Sequence, residues 1–338
     1  MNGVDDPQSF SHRFATVNGI RMHYVEEGDG PLVILLHGYP FLWYLWRHQI
    51  KALAAAGYRV VAPDQRGYGQ TDGPEGVESY DMTRVVGDVV GLMNAVGSES
   101  AVLVGQDFGS PVAYHVALMR PDLVRGVVMM CAPPSPRAPI SPWAAARLVY
   151  DQDPDIVFYQ ELLSQPETAQ EIMRDVRRFL LGAFASTSGS ASDDKQFQWA
   201  WKPPTTLWDA IPVPDGGALP PYLSQQAFDY YVAGYTRTGI QSANNATYAA
   251  IETSWANTSF LDGAVAQQPA LFLTGERDPT LKPRLGFDRQ GPAIKALPTA
   301  FRDMRDILTI PGVGHTPPEE APDEVNAIVL KFLNDIGY

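Results

Sequence analysis

The sequence predicts an α/β protein, a mostly parallel sheet flanked by helices and interrupted by an inserted, mainly helical segment. Three observations predict it. Short apolar runs alternate with segments of helical spacing over the first third of the chain. The alternation stops after Ala132, where Pro133, Pro134, Pro136, Pro139 and Pro142 follow in close order, and it resumes at Ala270. A Gly-x-Asp-x-Gly turn joins one of the apolar runs to a helix-like stretch.

Residues 14–17 and 20–24 are strand-like runs joined by Asn18-Gly19, a pair whose tolerance of positive φ marks a two-residue hairpin. Residues 32–36 are apolar throughout, the pattern of a strand covered on both faces. A helix-like segment at 46–56 and a second buried strand at 59–62 follow. Residues 80–96 place Val85, Val86, Val89, Val90, Met93 and Val96 on one helical stripe. Strands are expected at 101–104 and 124–130, with a helix at 112–119 between them. Strands joined by helical crossovers lie parallel. Beyond Ala132 the texture changes to helix-like segments, a Ser-rich run at 186–192 and a Pro/Gly-rich run at 203–221, both runs expected as surface loops. Strands return at 270–274 and 307–310, and a helix at 323–333 ends the chain. The expected organisation is a discontinuous α/β core, residues 1–132 and 262–338, carrying an inserted cap, residues 133–261.

With 338 residues, 45% of them hydrophobic, the chain can bury a core and support such an insertion. Asp and Glu number 38 against 25 for Lys and Arg, a net charge of -13, which argues against nucleic acid or an anionic membrane as partner. The single cysteine, Cys131, excludes an intrachain disulfide and fits a reducing compartment. No basic flank followed by an apolar stretch opens the sequence, and no apolar run reaches membrane-spanning length, so a cytoplasmic location is expected.

Residues 102–110 read strand, tight turn, helix, with Gly105 and Gly109 two positions either side of Asp107. Small neighbours let strand and helix approach closely around a strained residue. An aspartate there is ionised at neutral pH and needs no base to activate it. It attacks an electrophilic sp3 carbon and leaves an alkyl ester that water must cleave, which points to epoxide or carbon–halogen substrates. His37-Gly38-Tyr39-Pro40 follows the run at 32–36. Its Tyr39 amide, with that of Phe108, is expected to stabilise the oxyanion of ester cleavage. His37 is expected to support this loop and, with Pro40 and Trp43, to border the substrate pocket. Asp278 follows the strand at 270–274 and is expected to orient a histidine, with Glu276 as its competitor. Of six histidines only His315 follows a late strand in a Gly-rich loop; His12, His23, His48 and His115 are expected at surface or packing positions. Clustered His/Cys spacing and a phosphate loop are both missing from the sequence, so neither a metal nor an organic cofactor is expected.

These residues, in the order nucleophile, acid, histidine, resemble the soluble epoxide hydrolases of the α/β-hydrolase superfamily. The resemblance is carried by residues 37–40, 43–50 and 56–64, by Arg66-Gly67-Tyr68-Gly69, and by 105–110. It implies an α/β-hydrolase fold with a cap, Asp107 as nucleophile, Asp278 as charge-relay acid and His315 as water-activating base. It also implies two cap tyrosines that hold and protonate the epoxide oxygen. Gly239, Asn245, Tyr248 and Trp255 resemble the stretch bearing the second of these. They differ from it by one extra residue between Gly and Tyr, and by Ala249 in place of a common Arg. Tyr231 is the alternative. Tyr159 is the candidate for the first tyrosine, although the family's lies about a turn earlier, near Asp155. Gln106, Phe108 and Thr316 replace a common His, Trp and aromatic residue. The implied reaction turns a small hydrophobic epoxide and water into a vicinal diol. A haloalkane or haloacetate dehalogenase would share the three reactive residues but needs halide donors, which Phe108 does not offer and cap tryptophans such as Trp199, Trp201 and Trp208 would. A non-catalytic binder using the same pocket is a further alternative.

Overall fold

The computed structural model describes residues 3–150 and 153–338. Among these described residues there are ten strands: β1 His12–Val17, β2 Ile20–Glu27, β3 Leu32–Leu36, β4 Arg59–Pro63, β5 Ala101–Gln106, β6 Val124–Met130, β7 Val157–Phe158, β8 Ala200–Trp201, β9 Ala266–Gly275 and β10 Phe301–Ile310. Eight of them form one sheet in the order β1-β2-β4-β3-β5-β6-β9-β10. β2 is antiparallel to both β1 and β4, and every pairing from β4 to β10 is parallel. The β1–β2 hairpin turns on Asn18 and Gly19 at φ 46° and 79°, the double positive φ that Asn-Gly accepts at low cost.

The unbroken apolar runs have a direct cause. Leu32, Ile34 and Leu36 join one core, beneath the helices Met82–Ala95 and Gly109–Met119, while Val33 and Leu35 join another on the opposite face. All six residues of β5, at the middle of the sheet, are buried. β10 behaves differently. It extends six residues earlier than its apolar end suggests, because Arg302, Asp303, Arg305 and Asp306 lie on an exposed edge. Charge on an edge strand blocks pairing with another chain and erases the hydrophobic signature of a strand.

Between β6 and β9 the chain leaves the sheet and forms a run of helices from Pro142 to Leu261, with β7 and β8 as a small antiparallel ribbon. Its apolar residues, among them Phe179, Phe184 and Trp199, continue the core on one face of the sheet. The Ser-rich run is not the surface loop expected of it: Ser186 and Ser188 are each 1% exposed. They end the helix Val176–Thr187, which runs into the sheet's carboxyl edge, so small residues serve close packing there. The Pro/Gly-rich run does lie mostly at the surface. Among the described residues no helix is long and apolar enough to cross a membrane.

Parallel register brings the strand ends together: Leu36 pairs with Gly105, Gly105 with Met129, Met130 with Leu273 and Gly275 with Ile310. The loops after β3, β5, β9 and β10 therefore open on one edge, where open α/β sheets bind ligands.

Candidate active site

Asp107 sits one residue past β5 with φ 50°, a left-handed conformation that costs an aspartate energy. The turn is held by the Asp107 amide donating to the Met130 carbonyl at 2.9 Å and the Ser110 amide to the Asp107 carbonyl at 2.9 Å. The flanking glycines are required by contact. A Cβ at Gly105 would lie 2.2 Å from the Gly109 oxygen, and one at Gly109 would lie 2.0 Å from the Leu36 oxygen. Gly109→Ala is therefore expected to destabilise the fold by about 3 kcal/mol, since backbone must move to admit the methyl. Urea unfolding, with an unchanged slope and a lower midpoint, checks it.

The Tyr39 amide donates to Asp107 Oδ1 at 3.0 Å, and the Phe108 amide also donates to this carboxylate. On the other oxygen, His315 Nε2 stands 3.4 Å from Oδ2. His315 Nδ1 lies 2.8 Å from Asp278 Oδ2, and Asp278 Oδ1 accepts from the Thr280 amide and hydroxyl at 2.8 and 2.7 Å. With Nδ1–H directed at Asp278, Nε2 is the atom that faces Asp107. Glu276 instead accepts from the Gly312 amide at 3.0 Å, so of the two acids in that loop only Asp278 reaches the histidine.

Burial pushes the Asp107 carboxyl upward, but the His315 hydrogen bond and charge and the two amides outweigh it and hold it below the ordinary carboxylate value. Burial likewise pushes His315 down. The adjacent Asp278 and Asp107 charges overcome this and raise it well above the usual imidazole value. Asp107 and His315 thus rest as an ion pair. Anything that neutralises Asp107 weakens the imidazole's hold on its proton.

Facing these groups is a cavity of about 410 Å³, lined by Tyr39, Pro40, Asp107, His315 and residues of the helical insertion, including Tyr159 and Tyr248. Tyr248 lies in a π-helical turn, Asn245–Ala249, closed by the Ala250 amide donating to the Asn245 carbonyl at 3.0 Å. A π turn holds one more residue than an α turn, which absorbs the extra residue between Gly239 and Tyr248. Its ring meets those of Tyr39 and Tyr159 edge-on, at 5.0 and 5.7 Å. Burial, then the nearby Tyr159 and Asp107, raise its pKa well above the phenol value, so it is a neutral donor at pH 7. Tyr159 opens the short helix Tyr159–Leu163, and its hydroxyl accepts from Gln160 Nε2 and Arg289 Nη1, both at 3.1 Å. Asp155, a turn earlier, is exposed. Tyr231 lies away from the cavity, its hydroxyl 3.4 Å from Glu319.

Two residues expected on the pocket border lie elsewhere. His37 is fully buried behind the loop: its Nδ1 donates to the Gly38 carbonyl at 2.9 Å, and its Nε2 accepts from the Gln65 amide at 3.1 Å. Burial lowers its pKa, which keeps it neutral in that role. Trp43 turns back onto the sheet, donates to the Tyr230 hydroxyl at 2.7 Å and packs against Phe10 and His12. Conversely, His115, expected at a surface or packing position, borders the cavity with Nδ1 bonded to the Pro111 carbonyl at 2.7 Å. Sequence reasoning missed Thr280 and Arg289 altogether. Thr280 was findable, because an Asp followed two residues later by a hydroxyl residue is a common side-chain turn. Arg289 carries no such signal.

The described residues offer one group with metal-ligand proximity, Cys131, Asp278 and His315. It fits a metal poorly. Both Asp278 oxygens are engaged, and burial pushes the Cys131 thiol well up, leaving it protonated.

Residues 31–286 match the family model for the alpha/beta hydrolase fold. Epoxide hydrolase A of Mycobacterium tuberculosis is 37% identical over 330 residues, covering 96% of this chain and 98% of the relative. The chain belongs to the epoxide hydrolase family of the α/β-hydrolase fold. Epoxide hydrolase 3 of Siraitia grosvenorii is 33% identical over 326 residues, covering 96% and 98% of the two chains. Among solved structures, epoxide hydrolase A from Mycobacterium thermoresistibile matches with a TM-score of 0.85 at 38% identity, covering 96% of this chain and 98% of that one. An epoxide hydrolase from an endophytic Streptomyces matches at 0.87 and 35%, covering 96% and 95%. In this epoxide hydrolase family member Tyr248 stands in a π turn and Tyr159 at the first residue of a short helix.

Proposed function

We propose that this protein hydrolyses an epoxide to a vicinal diol through a covalent ester on Asp107. The observation that carries the reading is the cavity itself, in which one carboxylate at a strained turn shares apolar walls with the phenols of Tyr159 and Tyr248. Residues 133–261 act as the cap over a core of residues 1–132 and 262–338.

In the first half-reaction an Asp107 oxygen bonds to an epoxide carbon while the ring C–O bond breaks. Tyr248, together with Tyr159, donates a proton to the departing oxygen. Tyr248 borders the cavity beside Tyr159, its ring 5.7 Å from that of Tyr159, so both phenols can reach one epoxide oxygen. Esterification removes the Asp107 charge, and with it one of the interactions that raise the His315 pKa. His315, oriented by Asp278, passes the proton of its resting ion pair to the phenolate and then takes a proton from water as the hydroxide attacks the Asp107 carboxyl carbon. The Tyr39 and Phe108 amides receive the oxyanion, the remaining water proton goes to the departing alkoxide, and the diol leaves with the Asp107–His315 ion pair restored.

Halide departure is less well served. Phe108 has no N–H in its side chain, and Trp255, the one tryptophan on the cavity wall among the described residues, donates its indole to the Ala138 carbonyl at 2.9 Å. Trp199 and Trp208 donate to the Lys282 carbonyl and to Glu171.

Turnover of styrene oxide and aliphatic epoxides beside haloalkanes and fluoroacetate tests the reading, with diol as the expected product. Halide release without diol would transfer the same residues to a dehalogenase. Silence across the panel would favour a binder. Tyr248→Phe is expected to slow alkylation by about 10²-fold while hydrolysis of the preformed ester keeps its rate. Single-turnover quench separates the two steps, and an unchanged alkylation rate would remove Tyr248 from the proton-donor role.

A further inference from the structure

In a chain with 38 acidic residues, the cavity lining holds two arginines, Arg137 and Arg289, and one carboxylate, Asp107. That carboxylate is already engaged by His315 and two amides. Elsewhere the buried arginines are paired, Arg47 with Asp5 and Glu319 and Arg66 with Asp88, as is half-buried Arg59 with Glu26; half-buried Arg178 and Arg284 meet the Trp208 ring and the Ala200 carbonyl instead, but neither borders the cavity. Arg289 is half-buried, yet among the described residues no carboxylate lies within ion-pair distance of it. Its contacts are the Tyr159 hydroxyl at 3.1 Å and the ring faces of Tyr159 and Phe158, at 5.4 and 5.9 Å. Among the described residues Arg137 likewise meets only the Trp255 carbonyl at 3.3 Å and the Trp255 ring at 4.2 Å. Withdrawing a guanidinium from water without a counter-ion costs free energy, and four of the five Arg289 N–H donors have no hydrogen-bonded partner among the described residues.

We propose that Arg289 binds a carboxylate on the substrate, and that the natural substrate is an epoxy acid. The inference rests on the epoxide-hydrolase reading and narrows it. One cation next to the ionised Asp107 balances a single negative charge, which suits a carboxylate and not a phosphate dianion. The planar fork of guanidinium matches a carboxylate edge. Because Arg289 touches Tyr159, which is placed to hold the epoxide oxygen, the carboxylate lies only a few bonds from the ring. Apolar walls such as Phe179, Phe197 and Ile251 take the rest of the molecule.

The experiment compares phenylglycidate with phenylglycidamide, two epoxides of one shape that differ in charge. Wild type is expected to favour the acid in kcat/KM by about tenfold or more, the worth of a charge-assisted pair. Arg289→Gln is expected to erase that ratio, chiefly through the KM of the acid, and Arg289→Lys to keep part of it. Since Arg289 also touches Tyr159, overall rates fall in both variants, and the ratio is the diagnostic quantity. Equal losses on acid and amide would overturn the proposal and leave Arg289 a positioning residue for Tyr159; so would a wild type without preference. Should the variants fail to fold, inhibition of wild-type styrene oxide turnover by cinnamate against cinnamamide decides the same point. Tighter binding of cinnamate by about tenfold supports it, and equal binding overturns it. Absence of any diol or alkyl-enzyme from every epoxide would instead remove the epoxide-hydrolase reading, and this proposal with it.

Discussion

Asp107→Ala is expected to abolish both diol formation and alkylation of the protein, with a loss of about 10⁴-fold or more. No other side chain replaces it. Among the described residues it is the only carboxylate on the cavity wall, and it alone meets the Tyr39 amide, the Phe108 amide and His315 together. Alanine occupies the same turn at φ 50° without a gain in backbone energy, so circular dichroism beside the activity measurement confirms that the variant is folded. Intact-protein mass spectrometry with styrene oxide checks the result: the parent transiently gains the mass of the epoxide and the variant never does. Diol production by the folded variant at a parental rate would sink the covalent scheme.

His315→Gln is expected to fail differently. Alkylation needs an ionised carboxylate, and the Tyr39 and Phe108 amides still favour that form when the imidazole is gone. Water, by contrast, loses its base. The ester should form and stay, so that one equivalent of epoxide is consumed and steady-state turnover drops by about 10⁴-fold. The same mass measurement would find the adduct accumulated and stable. A variant that shows neither adduct nor turnover would place His315 in the first step, contrary to the proposed division of labour.

The contrast between these two residues and Arg289 explains what the sequence could disclose. Asp107 and His315 sit in short turns after strands that end at the sheet's carboxyl edge, and turns of that kind demand glycines at fixed offsets, so local chemistry is written locally. β3 and β5 were legible because a strand covered on both faces must be apolar throughout. The first part of β10 was not, because its charged residues answer to solvent at the sheet's edge. In the insertion the controlling distances are tertiary. Tyr159, the candidate, borders the cavity although it lies about a turn from the family's usual position, whereas Trp43, expected on the pocket border, folds back on Phe10; what decides such placements lies beyond a few residues of the side chain. The expectation for residues 186–192 failed for a related reason. Serine and glycine suit a loop, but they equally suit a place where two backbones touch.

That touching place constrains how the molecule can move or be rebuilt. Glu320 accepts from the Gly189 amide at 2.7 Å, from the Gly314 amide at 3.1 Å and, through its other oxygen, from the Thr316 amide at 3.1 Å. The His315 amide itself donates to the Thr187 carbonyl at 2.9 Å. One carboxylate therefore rivets the end of an insertion helix to the loop that carries the imidazole. Admission of substrate by rocking the roof must either pivot about this rivet or drag the base along. An insertion grafted from a relative would carry its altered walls into working order only if it brought a turn that Glu320 can still grip.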